Sequence, residues 1–380
     1  MLLILMKVCS IIMGIKHIYK SALAADEVFM SKLKNIAIIG FGGMAGWHAD
    51  MIRRNNVINL KGVYDIKDQR NKIAEEKGIF AYSSCEELLA DKDVDVVLIA
   101  TPNELHKPLA IEAMKAGKHV ISEKPVTLSS ADLQEMIDAS KKYGRIFTVH
   151  QNRRWDNDYI VMKDLYNSDK LGRVFGIESR VQGSHGIPGD WRGRKEHGGG
   201  MMLDWGVHLI DQIMMMVGDR RLERVYCTCD HITNDEVDDG FKLDLYFEND
   251  FTARVEVGTS HFINLPRFFI TGENGSAVIP DWNLPCKVTA CKIKKDTSVV
   301  PVKTAAGLTK TMAPRNQSTI ETYEIELPDP DVHDFYRNVV AAIDGKEDQL
   351  IKHDQIMLVM RIMEAAFESD RTHSTVEFKY

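Results

Sequence analysis

The chain has 380 residues, 44% of them hydrophobic and 27% charged, which is enough for two domains with a large buried core. Its formal net charge is −7 and it carries no run of basic residues, so we expect no nucleic-acid partner. The six cysteines are too few and too scattered for a disulfide scaffold, and we interpret them as free thiols in a reducing compartment.

Residues 1–30 begin with an apolar run that Lys7 interrupts and that is too short to span a bilayer. Two interpretations are open. The segment is a poor secretory signal, or it is an extension upstream of a true start at Met30. We favour the second because Met30 leads directly into the first predicted strand. We therefore predict a cytoplasmic protein with no membrane partner, although the extension leaves export open.

From residue 35 onward, short apolar strands alternate with helices. The predicted strands are 36–39, 58–64, 94–100, 119–122 and 145–149, and the predicted helices between them are 44–54, 68–76, 105–116 and 129–143. The run 94–100 is almost continuously apolar, which is typical of a strand covered on both faces. This alternation predicts an α/β fold with a parallel, doubly wound Rossmann sheet over residues 31–150.

After residue 150 the pattern changes. Helices are predicted at 158–167 and 202–217, followed by closely spaced strands at 224–229, 241–247, 251–258, 268–271 and 276–279. This pattern predicts an antiparallel α+β domain over residues 151–330 that binds the substrate. The segment 299–321 is interpreted as a loop or an irregular hairpin. Residues 331–380 contain two amphipathic helices, 332–343 and 355–368, which close the chain.

The first predicted strand ends in a Gly-x-Gly-x-x-Ala turn at residues 40–45. The first glycine allows a tight turn, the second lets a pyrophosphate approach the backbone, and the following helix directs its N–H groups at the phosphates. Asp65 ends the second strand, where a carboxylate accepts hydrogen bonds from the adenosine ribose and disfavours a 2′-phosphate. The pattern predicts NAD as cofactor, with NADP possible because Lys67 and Arg70 are near. The turn contributes Gly40, Phe41, Gly42, Gly43 and Met44 to the predicted cofactor site.

Polar residues follow the third and fourth predicted strands, at the carboxyl edge of the sheet where ligands bind in open α/β folds. Asn103 is also suited to cap the next helix, and Glu123 with Lys124 is also suited to a surface ion pair before Pro125. Proline restricts the residue before it, so the Lys124 side chain is held in one direction. The predicted cofactor contacts at this edge are Thr101, Pro102, Asn103, His106, Glu123 and Lys124.

Three consecutive glycines, 198–200, precede a helix in which Asp204 and His208 are four residues apart and therefore share a face. A carboxylate that fixes a histidine tautomer suits a general base, and Asp211 lies one turn further on. The alternative is a histidine that is merely hydrogen-bonded in the core. We predict no metal, because no second histidine or cysteine stands at ligand spacing. The glycines allow either close backbone approach or a hinge.

Arginines and aromatic residues are frequent around the predicted join of the two domains. They suit a polyol or sugar ring, or a carboxylate or phosphate on the substrate, but at least half of the arginines are expected in ion pairs. The substrate contacts that we predict are Arg153, Trp191, Arg192, Asp204 and His208. The same cluster contains Arg154, His185 and Arg194.

With these motifs in this order, the chain from about Ser31 onward resembles the glucose–fructose oxidoreductase / inositol dehydrogenase / rhizopine catabolism (Gfo/Idh/MocA) family. The resemblance rests on Gly40–Gly42, Thr101–Asn103 with His106, Glu123–Pro125, and Asp204 with Gly206, His208 and Asp211. It implies an open-faced antiparallel sheet in the second domain, and C-terminal helices at 331–380 that pack back on the core. It also implies homodimers or homotetramers that assemble through this sheet. It also implies a catalytic set in which Lys124 bonds the reacting oxygen, His208 moves the hydroxyl proton and Asp204 orients His208.

The segment 150–156 is similar to scyllo-inositol dehydrogenases and related sugar reductases. The predicted activity is therefore hydride transfer between a nicotinamide and a secondary alcohol or ketone of a cyclic polyol or sugar. Two alternatives stay open at this point. One is an NAD-dependent glycoside hydrolase on the same fold, and the other is a non-catalytic ligand sensor, which the presence of Lys124, Asp204 and His208 disfavours.

Overall fold

The structure is a computed structural model that describes residues 33–294 and 300–380. The predicted N-terminal extension and Val299 lie outside these residues. The first half of the described chain forms a five-stranded sheet in the order β2-β1-β3-β4-β5 with every pair parallel. Its elements are β1 (Lys34–Ile39), α1 (Gly43–Arg53), β2 (Ile58–Tyr64), α2 (Asp68–Glu76), α3 (Cys85–Ala90), β3 (Val96–Ile99), α4 (His106–Lys115), β4 (His119–Ser122), α5 (Ser130–Tyr143) and β5 (Phe147–Val149).

This half confirms the predicted Rossmann sheet. All four residues of β3 are buried, as the apolar run required. Helix α5 begins and ends as its sequence indicates, because the Ser129 side chain accepts a hydrogen bond from the Asp132 N–H and Gly144 adopts a left-handed conformation after the last turn. The short helix α3 was not predicted. It covers only six residues, too few for a clear periodic pattern.

The second half forms a nine-stranded sheet in the order β15-β12-β11-β10-β6-β9-β8-β7-β16, while β13 and β14 form a separate hairpin. The sheet is largely antiparallel as predicted, but β6 and β9 are parallel, so it is mixed. The elements of this half are α6 (Asn157–Tyr166), β6 (Val174–Gln182), α7 (Val207–Val217), β7 (Leu222–Asp230), β8 (Gly240–Phe247), β9 (Phe251–Gly258), β10 (Phe268–Gly272), β11 (Gly275–Ile279), β12 (Cys286–Cys291), β13 (Val302–Thr304), β14 (Gly307–Thr309), β15 (Ile320–Ile325), α8 (Asp334–Ile343), α9 (His353–Thr372) and β16 (Val376–Glu377).

The sequence analysis missed four of these strands, and β6 is the most important of them. Strand β6 buries Ser179 and Arg180, which break the alternation of apolar and polar residues on which a strand prediction rests. Arg267 donates to the Ser179 hydroxyl at 2.8 Å, and Arg180 donates to Glu256 at 3.1 Å, so both buried polar groups are paired. The other missed strands are β12, β15 and β16. The hairpin of β13 and β14 confirms the hairpin interpretation for the described part of 299–321.

Helix α9 packs against β7, α7 and α5, so it contacts elements from both halves of the chain. Its Glu364 carboxylate accepts hydrogen bonds from the Ser130 N–H at 2.6 Å and from the Ser130 hydroxyl at 2.8 Å, at the start of α5. The predicted domain limits at residues 31–150, 151–330 and 331–380 stay predictions. None of the helices in the described part of the chain is long and apolar enough to cross a membrane.

Candidate active site

The glycine turn after β1 packs closely against the backbone at Ala100, which follows β3. Gly40 has φ +87°, and a Cβ at this position would lie 2.5 Å from the Ala100 carbonyl oxygen, so only glycine fits. Helix α1 begins three residues later at Gly43, at the carboxyl edge of the parallel strands. The turn therefore has the strand before it and the helix N-terminus after it that a dinucleotide pyrophosphate requires.

Asp65 is buried directly behind this turn. One of its carboxylate oxygens, Oδ2, accepts the Phe41 N–H at 2.7 Å and the Arg70 guanidinium at 3.1 Å, and the other, Oδ1, accepts the Lys67 N–H at 2.9 Å. The Asp65 carboxylate thus holds the glycine turn in place. It also lies at the end of β2, where the sequence predicted a hydrogen bond to the adenosine ribose. The Arg70 side chain is 41% exposed, and one of its nitrogens lies 3.8 Å from the Cβ position of Gly42. A cation therefore stands beside the predicted ribose position.

The loop after β3 contacts the second half of the chain. Asn103 begins a short 3-10 turn and makes no capping hydrogen bond with its side chain, so the capping interpretation is wrong. Its amide instead donates to the Gly198 carbonyl at 3.0 Å. His106 is completely buried, and its ring nitrogens contact the carbonyl oxygens of Thr101 and Pro125. His106 therefore joins two loops from inside the protein, and its predicted role as a cofactor contact stays a prediction.

Lys124 follows β4 at the same edge, and the peptide bond that joins it to Pro125 is cis. Its ammonium group donates to the Asp204 carboxylate at 2.9 Å and to the Asp204 carbonyl oxygen at 2.9 Å. The surface-pair alternative is wrong, because the Lys124 side chain is only 15% exposed and Glu123 is not its partner. The two motifs, 80 residues apart in sequence, meet at this contact.

Asp204 lies between two cations. Its second carboxylate oxygen accepts a hydrogen bond from Arg192 Nε at 3.0 Å, so Lys124 and Arg192 each bind one oxygen. Burial alone would raise the pKa of Asp204, but the charges of Lys124 and Arg192 outweigh it and lower the pKa below its ordinary value. Asp204 is consequently ionised at neutral pH and orients both cations.

His208 does not have the carboxylate partner that the i,i+4 spacing predicted. Met202–Gly206 forms a π-helical turn before α7, and its wider hydrogen-bond spacing alters the register between Asp204 and His208. Among the described residues no hydrogen bond joins these two side chains, and His208 Nδ1 is buried without a partner. Asp211 is bound instead by Arg154, at 2.7 and 2.8 Å. Burial, followed by the charges of Lys124 and Arg153, lowers the pKa of His208 well below its ordinary value.

The three glycines before this turn are required by close packing. A Cβ at Gly198 would lie 2.3 Å from the Leu128 side chain, and one at Gly199 would lie 2.2 Å from the Arg192 carbonyl oxygen. Gly200, with φ +103°, would place its Cβ 2.2 Å from Asp238 Oδ1. This favours the close-approach interpretation over a hinge, and it explains how the segment reaches Asn103 and Asp204 together.

A cavity of about 210 Å³ adjoins Asp204 on the side of the nine-stranded sheet. The Arg153 guanidinium lies 4.1 Å from the centre of the Trp205 ring, and Trp205 lines this cavity. The Arg192 guanidinium lies over the Trp191 ring, 4.6 Å from the ring centre. The sequence analysis missed Trp205 and most of the other lining residues. The cavity is lined by residues 181–186, Pro188, Met201, Asp204, Trp205 and residues 257–259.

Comparison with known proteins agrees with this arrangement. The profile of the Gfo/Idh/MocA oxidoreductase family, described as an NAD-binding Rossmann fold, matches residues 34–151, and the profile of the family's C-terminal domain matches residues 159–278. The chain belongs to the Gfo/Idh/MocA family. It is therefore an oxidoreductase with an NAD-binding Rossmann sheet, as the sequence predicted.

Individual members of the family are similar over most of the chain. An NAD-binding protein from Listeria innocua of known crystal structure is 42% identical and covers 91% of this chain and all of its own, with a TM-score of 0.87. An uncharacterized oxidoreductase of Schizosaccharomyces pombe is 26% identical and covers 83% of this chain and 91% of its own length. A scyllo-inositol 2-dehydrogenase (NADP(+)) of Bacillus subtilis is also 26% identical, over 78% of this chain and 82% of its own.

The Glu123 carboxylate is hydrogen-bonded inside the protein, and its predicted role as a cofactor contact stays a prediction. It is buried below Lys124 and accepts hydrogen bonds from His48 at 2.7 Å and His150 at 2.8 Å. In the described residues this is the one group of three histidine, cysteine or acidic side chains close enough together to hold a metal ion. Its polar atoms already hydrogen-bond one another.

Proposed function

We propose that this Gfo/Idh/MocA oxidoreductase transfers a hydride between a nicotinamide and the CH–OH carbon of a cyclic polyol or sugar. The observation that carries the proposal is the contact of Lys124 with Asp204, which brings a cation to the carboxyl edge of the dinucleotide-binding sheet beside His208. A cation and a neutral imidazole are the two groups that removal of a hydroxyl proton needs.

Lys124 binds the substrate oxygen in this proposal. Two of its three ammonium N–H groups are used by Asp204, which leaves the third for a hydroxyl or carbonyl oxygen. The positive charge stabilises negative charge that develops on this oxygen as the proton leaves. Asp204 and Arg192 keep the ammonium in place. The dinucleotide, whose pyrophosphate would bind at the Gly40 turn, would supply the nicotinamide as the hydride acceptor.

His208 accepts the hydroxyl proton during oxidation and returns it during reduction. Its lowered pKa means that the ring is neutral near pH 7 and has a free lone pair. Because Nδ1 is enclosed, we assign Nε2 as the nitrogen that exchanges the proton. Lys124 and Arg153 disfavour the imidazolium, so the proton passes on to solvent or is used at once in the reverse direction.

The substrate class rests on the cavity beside Asp204. A volume of about 210 Å³ with one indole wall and several polar side chains suits a single six-membered ring that carries hydroxyls. The ring of Trp205 would stack on the C–H face of the substrate ring. The Thr259 hydroxyl, which donates to the Asp239 carbonyl oxygen, would accept a hydrogen bond from a substrate hydroxyl. The name of the Bacillus subtilis relative supports this class. We assign Arg153 and Trp191 to the substrate side of the site, and Arg154 to the fold, since it forms the Asp211 pair.

For the cofactor we propose NAD with NADP also accepted. The Asp65 carboxylate repels a 2′-phosphate, while the Arg70 guanidinium beside the turn attracts one.

We also propose a cytoplasmic homodimer or homotetramer without nucleic-acid or membrane partners. The strongly exposed side chains of Phe262 and Ile263 in the loop between β9 and β10 support self-association, which size-exclusion chromatography with light scattering tests.

The decisive test is a panel of inositols, aldoses, sugar acids and ketoses with NAD and NADP, followed at the absorbance band of the reduced nicotinamide. The expected result is turnover of at least one cyclic polyol or sugar. The matched control is Lys124→Met, which should bind the reduced cofactor and not turn over. Absence of turnover with every alcohol and ketone would refute the proposal. None of the relatives reported above is named a hydrolase, and no contact at the site favours that alternative.

A further inference from the structure

A buried polar network lies directly below Lys124 and involves residues from four separate parts of the chain. Glu123 Oε1 accepts hydrogen bonds from His48 Nε2 at 2.7 Å and His150 Nδ1 at 2.8 Å, and its Oε2 accepts the Lys124 backbone N–H at 3.2 Å. His48 Nδ1 in turn contacts the hydroxyl of Tyr336, in α8, at 2.5 Å. All four residues of the network, Glu123, His48, His150 and Tyr336, are buried, with at most 5% of each residue exposed.

The hydrogen-bond partners fix the direction of each bond. An ionised carboxylate only accepts, so His48 Nε2 and His150 Nδ1 must both donate to Glu123. Burial, together with the charge on His150, lowers the pKa of His48 to about 4, so this ring is neutral and its Nδ1 must accept. The Tyr336 hydroxyl therefore donates to His48. Every member of the chain from Tyr336 to Lys124 then has a partner of the correct type.

The network is costly to bury unless it is complete, because a buried carboxylate without donors is strongly unfavourable. Burial alone would raise the pKa of Glu123, but the His150 and His48 rings outweigh it and hold the pKa well below its ordinary value. In the part of the chain that the structure describes, the only hydrogen bond that this carboxylate accepts from the catalytic edge is from the Lys124 N–H. The carboxylate thus reaches the site through the lysine backbone and not through the substrate.

We propose that Glu123 is a positioning residue for Lys124, and that the chain of hydrogen bonds from Tyr336 through His48 makes the lysine geometry depend on the C-terminal helix α8. The proposal rests on the proposed function of Lys124. Helix α8 begins 210 residues after Lys124 in sequence, yet its Tyr336 hydroxyl lies two side chains away from the Lys124 backbone.

Glu123→Gln tests the proposal with little change in volume. An amide presents one acceptor and one donor, so its NH₂ group must face either the histidine N–H groups or the Lys124 N–H. We expect kcat to fall about 100-fold with little change in KM, since a displacement of about 1 Å of a catalytic group has an effect of this size.

Two further variants test the network. Glu123→Asp, which keeps the carboxylate, should restore part of the lost kcat. Tyr336→Phe should lower kcat by about fivefold, which corresponds to the loss of one hydrogen bond of about 1 kcal/mol. Tyr82→Phe is the matched control, because it also removes one buried hydroxyl, bonded to Asp91, away from the site.

A second measurement does not depend on turnover. Pulse labelling with an amine reagent, followed by peptide mass spectrometry, compares Lys124 with Lys118, whose ammonium is bound by the carbonyls of Asp91 and Val94. In Glu123→Gln the labelling of Lys124 should accelerate several-fold while that of Lys118 stays constant. Unchanged Lys124 labelling would overturn the proposal even if kcat fell, because the lysine would then not have moved. If the wild type turned over nothing in the panel, the proposed function would fall and the labelling alone would decide the positioning role.

Discussion

Replacement of Lys124 by methionine tests the contact between the two halves of the site. The ammonium and the Asp204 carboxylate are 2.9 Å apart with side chains 15% and 11% exposed, which corresponds to a gross attraction of about 6 kcal/mol at an effective dielectric constant of about 20. Desolvation of both groups offsets much of this attraction, so we expect a net coupling of about 1–3 kcal/mol. Arg192 stays bonded to Asp204 in the variant and limits the loss of stability to about 2 kcal/mol.

The assay is a double-mutant cycle of Lys124→Met and Asp204→Asn, followed by thermal unfolding at pH 7. Each single variant should lower the Tm by several degrees, and the double variant should lower it by less than the sum. The control cycle uses Lys242→Met and Asp230→Asn, a pair at 2.7 Å with side chains 48% and 29% exposed, for which we expect coupling below about 0.5 kcal/mol. Strictly additive effects at Lys124 and Asp204 would refute the reasoning.

Three further predictions concern the surroundings of the site. Gly200→Ala should destabilise the protein by about 2–5 kcal/mol, since it combines the strain of a positive φ with a clash against Asp238. Gly144→Ala, at φ +61° and ψ +43° in open space, should cost only about 1–2 kcal/mol, and thermal unfolding of the two variants separates backbone strain from steric contact. Burial raises the pKa of Asp238 to about 6, so the stability that its protonated form contributes is fully present below pH 4 and is lost as the pH rises through 6. Asp238→Asn should therefore stabilise the protein by about 1–3 kcal/mol at pH 8 and should have no effect at pH 4. A difference in Tm between variant and wild type that does not depend on pH would contradict this. Asp65→Ser should raise the NADP-over-NAD ratio of kcat/KM about tenfold because Arg70 remains, and an unchanged ratio would show that Asp65 only fixes the turn.

Much of the site follows from local sequence patterns. Two parallel strands that end at Ile39 and Ser122 must end at the same edge of the sheet, so it was predictable that the Gly40 turn and Lys124 lie at one edge. For the three glycines the sequence left close packing and a hinge open, and the contacts in the structure favour close packing. These features depend on chain direction, strand spacing and glycine geometry, which a sequence specifies directly.

The pairing of Asp204 was not predictable in the same way. The expectation that residues i and i+4 share a face applies to a regular α-helix. The spacing of the residues does not reveal that Met202–Gly206 forms a π-helical turn. Arg192 was grouped with substrate contacts, although it binds Asp204 directly. Side-chain partners on irregular segments are set by tertiary packing, which periodicity does not encode.

The histidine network had a usable signal that was missed. His48 stands on the buried stripe of α1 with Ala45, Ala49 and Ile52, where a polar residue needs a buried partner. His150 follows β5, which lies beside β4, so its position next to Glu123 could have been inferred from strand order. Tyr336 had no such signal because it comes from a distant helix.

The most direct test of the central claim is transfer of deuterium to the cofactor. The substrate that turns over fastest in the panel is prepared with deuterium at its carbinol carbons, and the cofactor is examined by mass spectrometry after one turnover with NAD or NADP. The account predicts one deuterium in the reduced nicotinamide with the wild type and none with Lys124→Met. Turnover without deuterium in the cofactor, or equal transfer by the variant, would contradict the claim that hydride leaves the substrate carbon at the site formed by Lys124, Asp204 and His208.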